Sequence, residues 1–262
     1  MTTQQLGEEG FSWFIGLVED IDDKKQLGRA KVRILNEHDD VETEELPWAH
    51  IMTPTTSASV EGVGETPCLA VGSRVIGFFM DGGEKQMPMI IGSFPTIPSN
   101  DENKHSLSWL ARGKNTITKE PLDEEPESAY AAEYPYNKVI QTKSGHVIEL
   151  DDTPENTRVH IYHNSGTYIE INNEGRIVIK SVKDSIDVVG ENKIVNVKGD
   201  ATFTVKGKAT FKVTGETKFE CKKVKMTGDL DVEGEVTGKG VKLSTHTHGG
   251  VDRGGSSTNR PN

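Results

Sequence analysis

The chain has 262 residues, a formal net charge of −11, and only 33% hydrophobic and 6% aromatic residues. So lean a composition argues against one large globule and for small cores or an elongated shape. The acidity argues against a nucleic-acid binder, which needs clustered Lys and Arg. No apolar run approaches the ~18 residues of a transmembrane helix, and MTTQQLGEEG has neither the basic nor the apolar region of a signal peptide, so neither is expected. Cys68 and Cys221 lie far apart with no CxxC and read as lone thiols of a chain made in a reducing compartment.

Residues 1–95 carry short strand-like runs: FSWFIGLVEDI, GRAKVRIL, LPWAHIMTP, GSRVIGFFMDGG and QMPMIIGSF. Ala30, Val32 and Ile34 alternate with Lys31 and Arg33, and DDKKQLG is a polar turn closed by Gly28. Five or six such strands, punctuated by Gly and Pro and without helical periodicity, predict a closed or nearly closed β-barrel, because closure removes exposed edges. Trp13, Trp48 and Trp109 are expected to anchor cores. Asp20 and Asp22 begin like a calcium loop, but Lys24 falls where a third oxygen ligand belongs.

Residues 96–136 change character. Five acids fall between Glu120 and Glu127, with Pro121 and Pro126 among them. This composition predicts a linker, with Glu124, Glu125 and Glu127 as solvated charges. Residues 137–188 return to strands (KVIQT, HVIEL, RVHIYH, TYIEI, RIVIKS) joined by Gly, Asn and Asp turns, and predict a meander or narrow stacked sheets. His160 and His163 fall on opposite faces at their spacing in a strand. They, with His38, His50, His105 and His146, read as ordinary surface or core residues.

Residues 189–245 hold an eight-residue repeat: VGENKIVN, VKGDATFT, VKGKATFK, VTGETKFE, CKKVKMTG. Val189, Val197, Val205, Val213 and Cys221 hold its first position, Gly199, Gly207 and Gly215 its third, and Val195, Phe203, Phe211 and Phe219 its seventh. An even period keeps alternate apolar residues on one face, and glycine recurs where a strand bends. The pattern predicts a prism-shaped β-helix with one strand per octad. A single chain would spend three octads per turn, and five give fewer than two turns, leaving the Val and Phe stripe wet at a cost of about 1.5–3 kcal/mol per side chain. Three chains wound together bury every stripe, which predicts a homotrimer; the alternative is an octad stretch packed on another subunit's sheet. Nine lysines against four acids from Val189 to Gly228 make this stretch basic, as solvated faces or as a shaft suited to an anionic cell surface.

Residues 246–262 form the end region, where His246 and His248 in LSTHTHGG sit on one side of a strand. On a three-fold axis they would supply six imidazoles. That octahedral set argues against zinc, usually tetrahedral in structural sites, while imidazole also suits Fe, Ni and Cu. Without such an axis the pair reads as surface histidines of a tail.

WFIGLVEDIDDKKQLGRAKVRI, LPWAHIMTPTTSAS, GSRVIGFFMDGG and PMIIGSFP resemble the N-terminal OB-fold of contractile-phage central spike proteins of the T-even type. YNKVIQTKSGHVIELDDTPENTRVHIYHNSG resembles the segment that opens the β-helix in those spikes and in the valine-glycine repeat proteins of type VI secretion. THTHGG resembles the tip of phage baseplate assembly protein V. The resemblance implies an all-β chain: an OB-fold barrel (1–95), a linker (96–136), a neck opening the β-helix (137–188), an intertwined trimeric triangular β-helix (189–245) and a metal-capped tip (246–262). It implies iron at His246 and His248. It further implies a place in the virion tail baseplate under a hub, and passage through the host outer membrane when the sheath contracts. T-even spikes carry a lysozyme domain between barrel and β-helix. Here about forty residues fill that gap, below the ~50 of an ordinary domain, so no enzyme activity, small-molecule substrate or nucleic-acid partner is expected. The rival expectations are a secretion-system spike, which the missing hub-like N-terminal region disfavours, and a β-helical polysaccharide depolymerase.

Overall fold

A computed structural model describes residues 12–95, 122 and 125–247. The chain divides into two units, Met1–Val188 and Val189–Asn262. The first unit opens with β1 (Trp13–Asp20), β2 (Ala30–Ile34), β3 (Trp48–Ile51), β4 (Arg74–Phe79) and β5 (Pro88–Phe94). They close into a barrel in the order β1-β2-β3-β5-β4, the closed five-stranded form the sequence pattern predicts. All neighbours are antiparallel except β3 and β5. Period-two alternation fills the interior with Phe14, Val18, Ala30, Val32, Ile34, Ala49, Val75, Phe79 and Ile90. The β1–β2 turn is organised by Asp23, whose carboxylate accepts from the Lys25 and Leu27 N–H groups and from both forks of Arg29. Those bonds, Arg29 first, hold its carboxyl below the usual range.

Trp13 departs from its expected role. In the run WFIGLV both faces of β1 are apolar, and Phe14 takes the inward position. Trp13 points outward, 60% exposed, edge-on to Phe78 at 5.7 Å. Trp48 is half-buried beneath Arg29 and Lys31.

The neck comprises β6 (Asn137–Gln141), β7 (Val147–Asp151), β8 (Arg158–Tyr162), β9 (Tyr168–Ile171) and β10 (Ile177–Lys180). It is an antiparallel meander in sequence order. Gly145, Gly166 and Gly175 close three of its turns at positive φ. Its two faces are inverted relative to an ordinary half-buried sheet. The covered face carries Glu149, Asp151, Arg158, His160, Glu170 and Lys180, together with Val147, Tyr162 and Tyr168. The opposite face is aliphatic and exposed. Ile140, Ile148, Ile161, Ile169 and Ile179 form one cross-strand row spanning all five strands, from 41% exposed at Ile169 to 72% at Ile179.

In the second unit the octads trace extended runs broken by two-residue bends at Lys198–Gly199, Lys206–Gly207 and Thr214–Gly215. Among the described residues, no strand lies between Lys180 and Thr237. Among these described residues no backbone–backbone hydrogen bond joins one octad to another. The described chain ends in a small hairpin, β11 (Thr237–Gly238) and β12 (Val241–Lys242). Its turn residues Lys239 and Gly240 both have positive φ, the primed-turn geometry that matches strand twist.

Gly16 and Gly77 are where the barrel strands come too close for a side chain. A Cβ at Gly77 would sit 2.1 Å from the Met89 carbonyl oxygen and 2.5 Å from Phe14, whereas a Cβ at Gly92 meets nothing within 4 Å. Gly77→Ala is expected to destabilise the barrel by about 1–3 kcal/mol. Gly92→Ala should stay within about 0.5 kcal/mol of wild type. Denaturant melts of the two variants compare them directly.

Candidate functional site: the octads, the tip and the neck

The octads present their apolar stripe to solvent. Phe203, Phe211 and Phe219 are 90%, 93% and 79% exposed, and Val197, Val205 and Val213 lie between 53% and 57%. Three phenyl and three isopropyl groups thus stand in water along one stretch of extended chain. Backbone N–H and C=O groups that are to be buried must be paired. Neighbouring strands would both cover the stripe and pair the backbone.

His246 follows β12 and is exposed. Its Nδ1 lies 2.8 Å from the Leu243 carbonyl oxygen. A carbonyl only accepts, so Nδ1 is the donor in this contact. A hydrogen bond of this kind commonly fixes the tautomer and ring orientation of a metal-ligating histidine. The tip is braced behind it. Leu243 N–H donates to the Val236 carbonyl at 2.9 Å, and Glu235 accepts from both the backbone and the hydroxyl of Ser244. His248 lies outside the described residues, as do Trp109, His105 and Glu124. Among the described residues no three His, Cys, Asp or Glu side chains converge as a metal group.

The neck holds what the sequence reading missed. Residues 125–136, expected to be part of a solvated linker, lie as a strap across its polar face. Glu125 pairs with Lys180 at 2.7 Å and accepts the Tyr168 hydroxyl at 3.0 Å. Glu170 accepts from Ser128 Oγ at 2.7 Å and Ala129 N–H at 2.9 Å, and Glu133 N–H donates to Thr153 Oγ1 at 2.9 Å. Tyr130 stacks on the Arg158 guanidinium at 4.9 Å. Beneath the strap Arg158, fully buried, bridges Glu149 and Glu170, and His160 Nδ1 lies 3.3 Å from Glu170 Oε2. Burial pushes the Glu170 carboxyl up. The bonds from His160, Ala129, Ser128 and Arg158 outweigh burial and hold it at about 2. Burial likewise works against Glu125, and Lys180, the Leu122 N–H and Tyr168 keep it below the ordinary value. No sequence period marks this cluster, because its partners lie up to 55 positions apart, from Glu125 to Lys180.

The remaining candidates are unremarkable in chemistry. His160 is buried and His163 exposed, on opposite sides as expected. His163 lies tilted against His146 with ring centroids 4.5 Å apart; His146 Nδ1 accepts the Asn164 N–H, and His163 Nδ1 accepts the Ser165 N–H of its own turn. Lys24 pairs with Asp22 instead of making way for a cation. Both cysteines are free and exposed.

Comparison with known proteins agrees with this layout at both ends. Residues 29–107 match the model of the Gp5 N-terminal OB domain, and residues 240–262 match the GpV Apex motif. Strand β1, which closes the barrel, precedes the matched range. The chain is similar to Protein Gp5 of Vibrio phage KVP40, 32% identical over 271 residues, covering 76% of this chain and 64% of that protein. It is also similar to the Pre-baseplate central spike protein Gp5 of Enterobacteria phage T4, 40% identical over 79 residues, covering 30% of this chain and 14% of that protein. The chain thus spans less than two-thirds of the length of either relative.

The buried cluster makes two quantitative demands. Arg158→Met strands two carboxylates without their cation and is expected to cost about 3–5 kcal/mol, read by chemical denaturation. The Glu170 carboxyl is depressed in the folded state, so the stability it contributes is complete above its unfolded value of 4.5 and is lost as pH falls toward about 2. Acid titration followed by Tyr fluorescence should place the loss of strap contacts in that window, and Glu170→Gln should flatten it.

Proposed function

We propose that this Gp5 homologue is the central spike of a phage tail baseplate, a homotrimer that pierces the host outer membrane when the sheath contracts. The observation that carries the reading is the phenylalanine and valine stripe of the octads, exposed in one chain and flanked by an OB domain at one end and an apex motif at the other. Three copies in an intertwined triangular β-helix would bury that stripe and supply every octad with neighbouring strands. The device is mechanical and not enzymatic. The sheath supplies the work, and the spike supplies stiffness, a narrow section and a hard point. Five octads rise only about 24 Å at ~4.8 Å per stacked strand, against about 40–45 Å for a bilayer with headgroups, so the neck strands must lengthen the needle.

At the tip His246 and His248 of three chains would hold an iron ion with six imidazoles. The Leu243 carbonyl fits that role by keeping the His246 proton on Nδ1. The metal would lock three chain ends together, with no position open for substrate. The barrel end would dock to hub and baseplate proteins above. The acidic charge of the chain, −11 overall, speaks against a nucleic-acid role for the OB domain.

Light scattering of the purified chain should give three times its 28.7 kDa mass, and elemental analysis should find iron that His246→Ala with His248→Ala removes. A monomer overturns the intertwined needle, and a metal-free trimer indifferent to both substitutions overturns the tip. Turnover of capsular or surface glycan by the pure protein would favour a depolymerase instead.

A further inference from the structure

We propose that the neck sheet, β6 to β10, is the nucleus on which three copies of the chain first associate, and that it sets the register in which the octads then wind. The inference rests on the trimeric reading above and adds where assembly starts.

The octads cannot set their own register. Val197, Val205 and Val213 are interchangeable, as are Phe203, Phe211 and Phe219, so a chain displaced by one octad presents the same stripe. Register is weakly specified wherever side-chain pattern repeats without a distinguishing feature. Nor do the octads brace one another: among the described residues no backbone–backbone hydrogen bond links one octad to another. They need neighbours already in place.

The neck is the opposite case. Each of its ladders joins consecutive strands, so it can form within one chain through local contacts, which form fastest. Its polar face is closed by the strap, leaving a single apolar face to offer. That face is an unrepeated pattern. The isoleucine row, centred on Ile161, lies beside a second row of Leu150, Val159, Ile171 and Ile177 that begins at Lys138. A displaced copy would set Lys138 against isoleucines. The occupant is a second and third copy of this chain, because only eight residues, 181–188, separate Lys180 from the first octad. Whatever covers the face must therefore leave each octad run beside its equivalents.

The test uses the full-length chain and three variants: Ile161→Lys at the centre of the row, Ile179→Lys on the outer strand as a milder change, and Phe211→Ser within the octads. Both neck variants should weaken trimer formation by at least about tenfold, the effect of replacing one buried aliphatic side chain with a charge. Far-UV dichroism should retain the strands, and hydrogen exchange should be fast throughout the octads. Phe211→Ser should remain a trimer, with protection lost only around its own octad. A trimer of wild-type affinity in both neck variants overturns the nucleus, as does a monomer from Phe211→Ser. The wild-type mass reports separately on the trimer itself: a monomeric wild type rejects the spike reading, whereas a wild-type trimer with unaffected neck variants rejects only the nucleus.

Discussion

The C-terminal part of this protein holds an apolar stripe in water along an extended backbone, and that exposure is the constraint on which the rest of the structure turns. The run from Val189 onward is extended and turns at glycines, yet among the described residues no backbone–backbone hydrogen bond joins one octad to another. Its phenylalanines stand almost fully in water. Either deficit alone could be met locally, by a hairpin or by collapse of the stripe. The two together fit neighbouring strands that pair the backbone and cover the stripe in one step. The same logic reaches the neck. A sheet that keeps charge under a strap and turns isoleucine outward presents a face for something to cover, since contiguous exposed apolar faces mark interaction surfaces.

The strap gives the neck its polarity. Any five-residue strand of the HVIELD type alternates, but alternation does not say which side will be covered. In β7 the sides are Val147, Glu149 and Asp151 against Ile148 and Leu150, and hydrophobicity alone would bury the second set. The Arg158 bridge to Glu149 and Glu170, with Ser128 and Ala129 donating to Glu170, stabilises the first set in the covered position. Removing one partner from such a cluster is far more costly than the cluster is stabilising. Its value is therefore specificity of face: it fixes which side of the sheet is left for other molecules.

What could be read from the sequence, and what could not, follows from the range of the interactions. The barrel was legible because Ala30, Val32 and Ile34 alternate over neighbouring positions, and the octads because their period is even and their glycines recur. Trp13 was misassigned because β1 is apolar on both faces and nothing in WFIGLV ranks Trp13 below Phe14 for the interior. Glu125 was misassigned because an acidic, proline-bearing stretch looks solvated by composition, while its pairing with Lys180 joins residues far apart in sequence. The tip pair was legible as residue types. The proton position on His246 was not, since it depends on where the Leu243 carbonyl points.

The last stretch of the second unit turns more tightly than the first. Extended runs of six residues lie between the bends at Gly190, Gly199, Gly207 and Gly215; the next run has five, and the runs before Thr227 and before Glu233 have four. At ~3.3 Å per residue, the straight segments shorten from about 20 Å to about 13 Å. The glycines follow, with Gly228, Gly234 and Gly240 recurring every six positions in place of every eight. Shorter segments carry smaller apolar side chains, from phenylalanine in the octads to Leu230, Val232 and Val236 beyond them. Smaller apolar side chains offer a neighbour less area to cover, so cohesion at the end draws more on polar contacts. The β11–β12 hairpin, the Glu235 bonds to Ser244 and the oriented imidazole of His246 are gathered where the apolar stripe runs out.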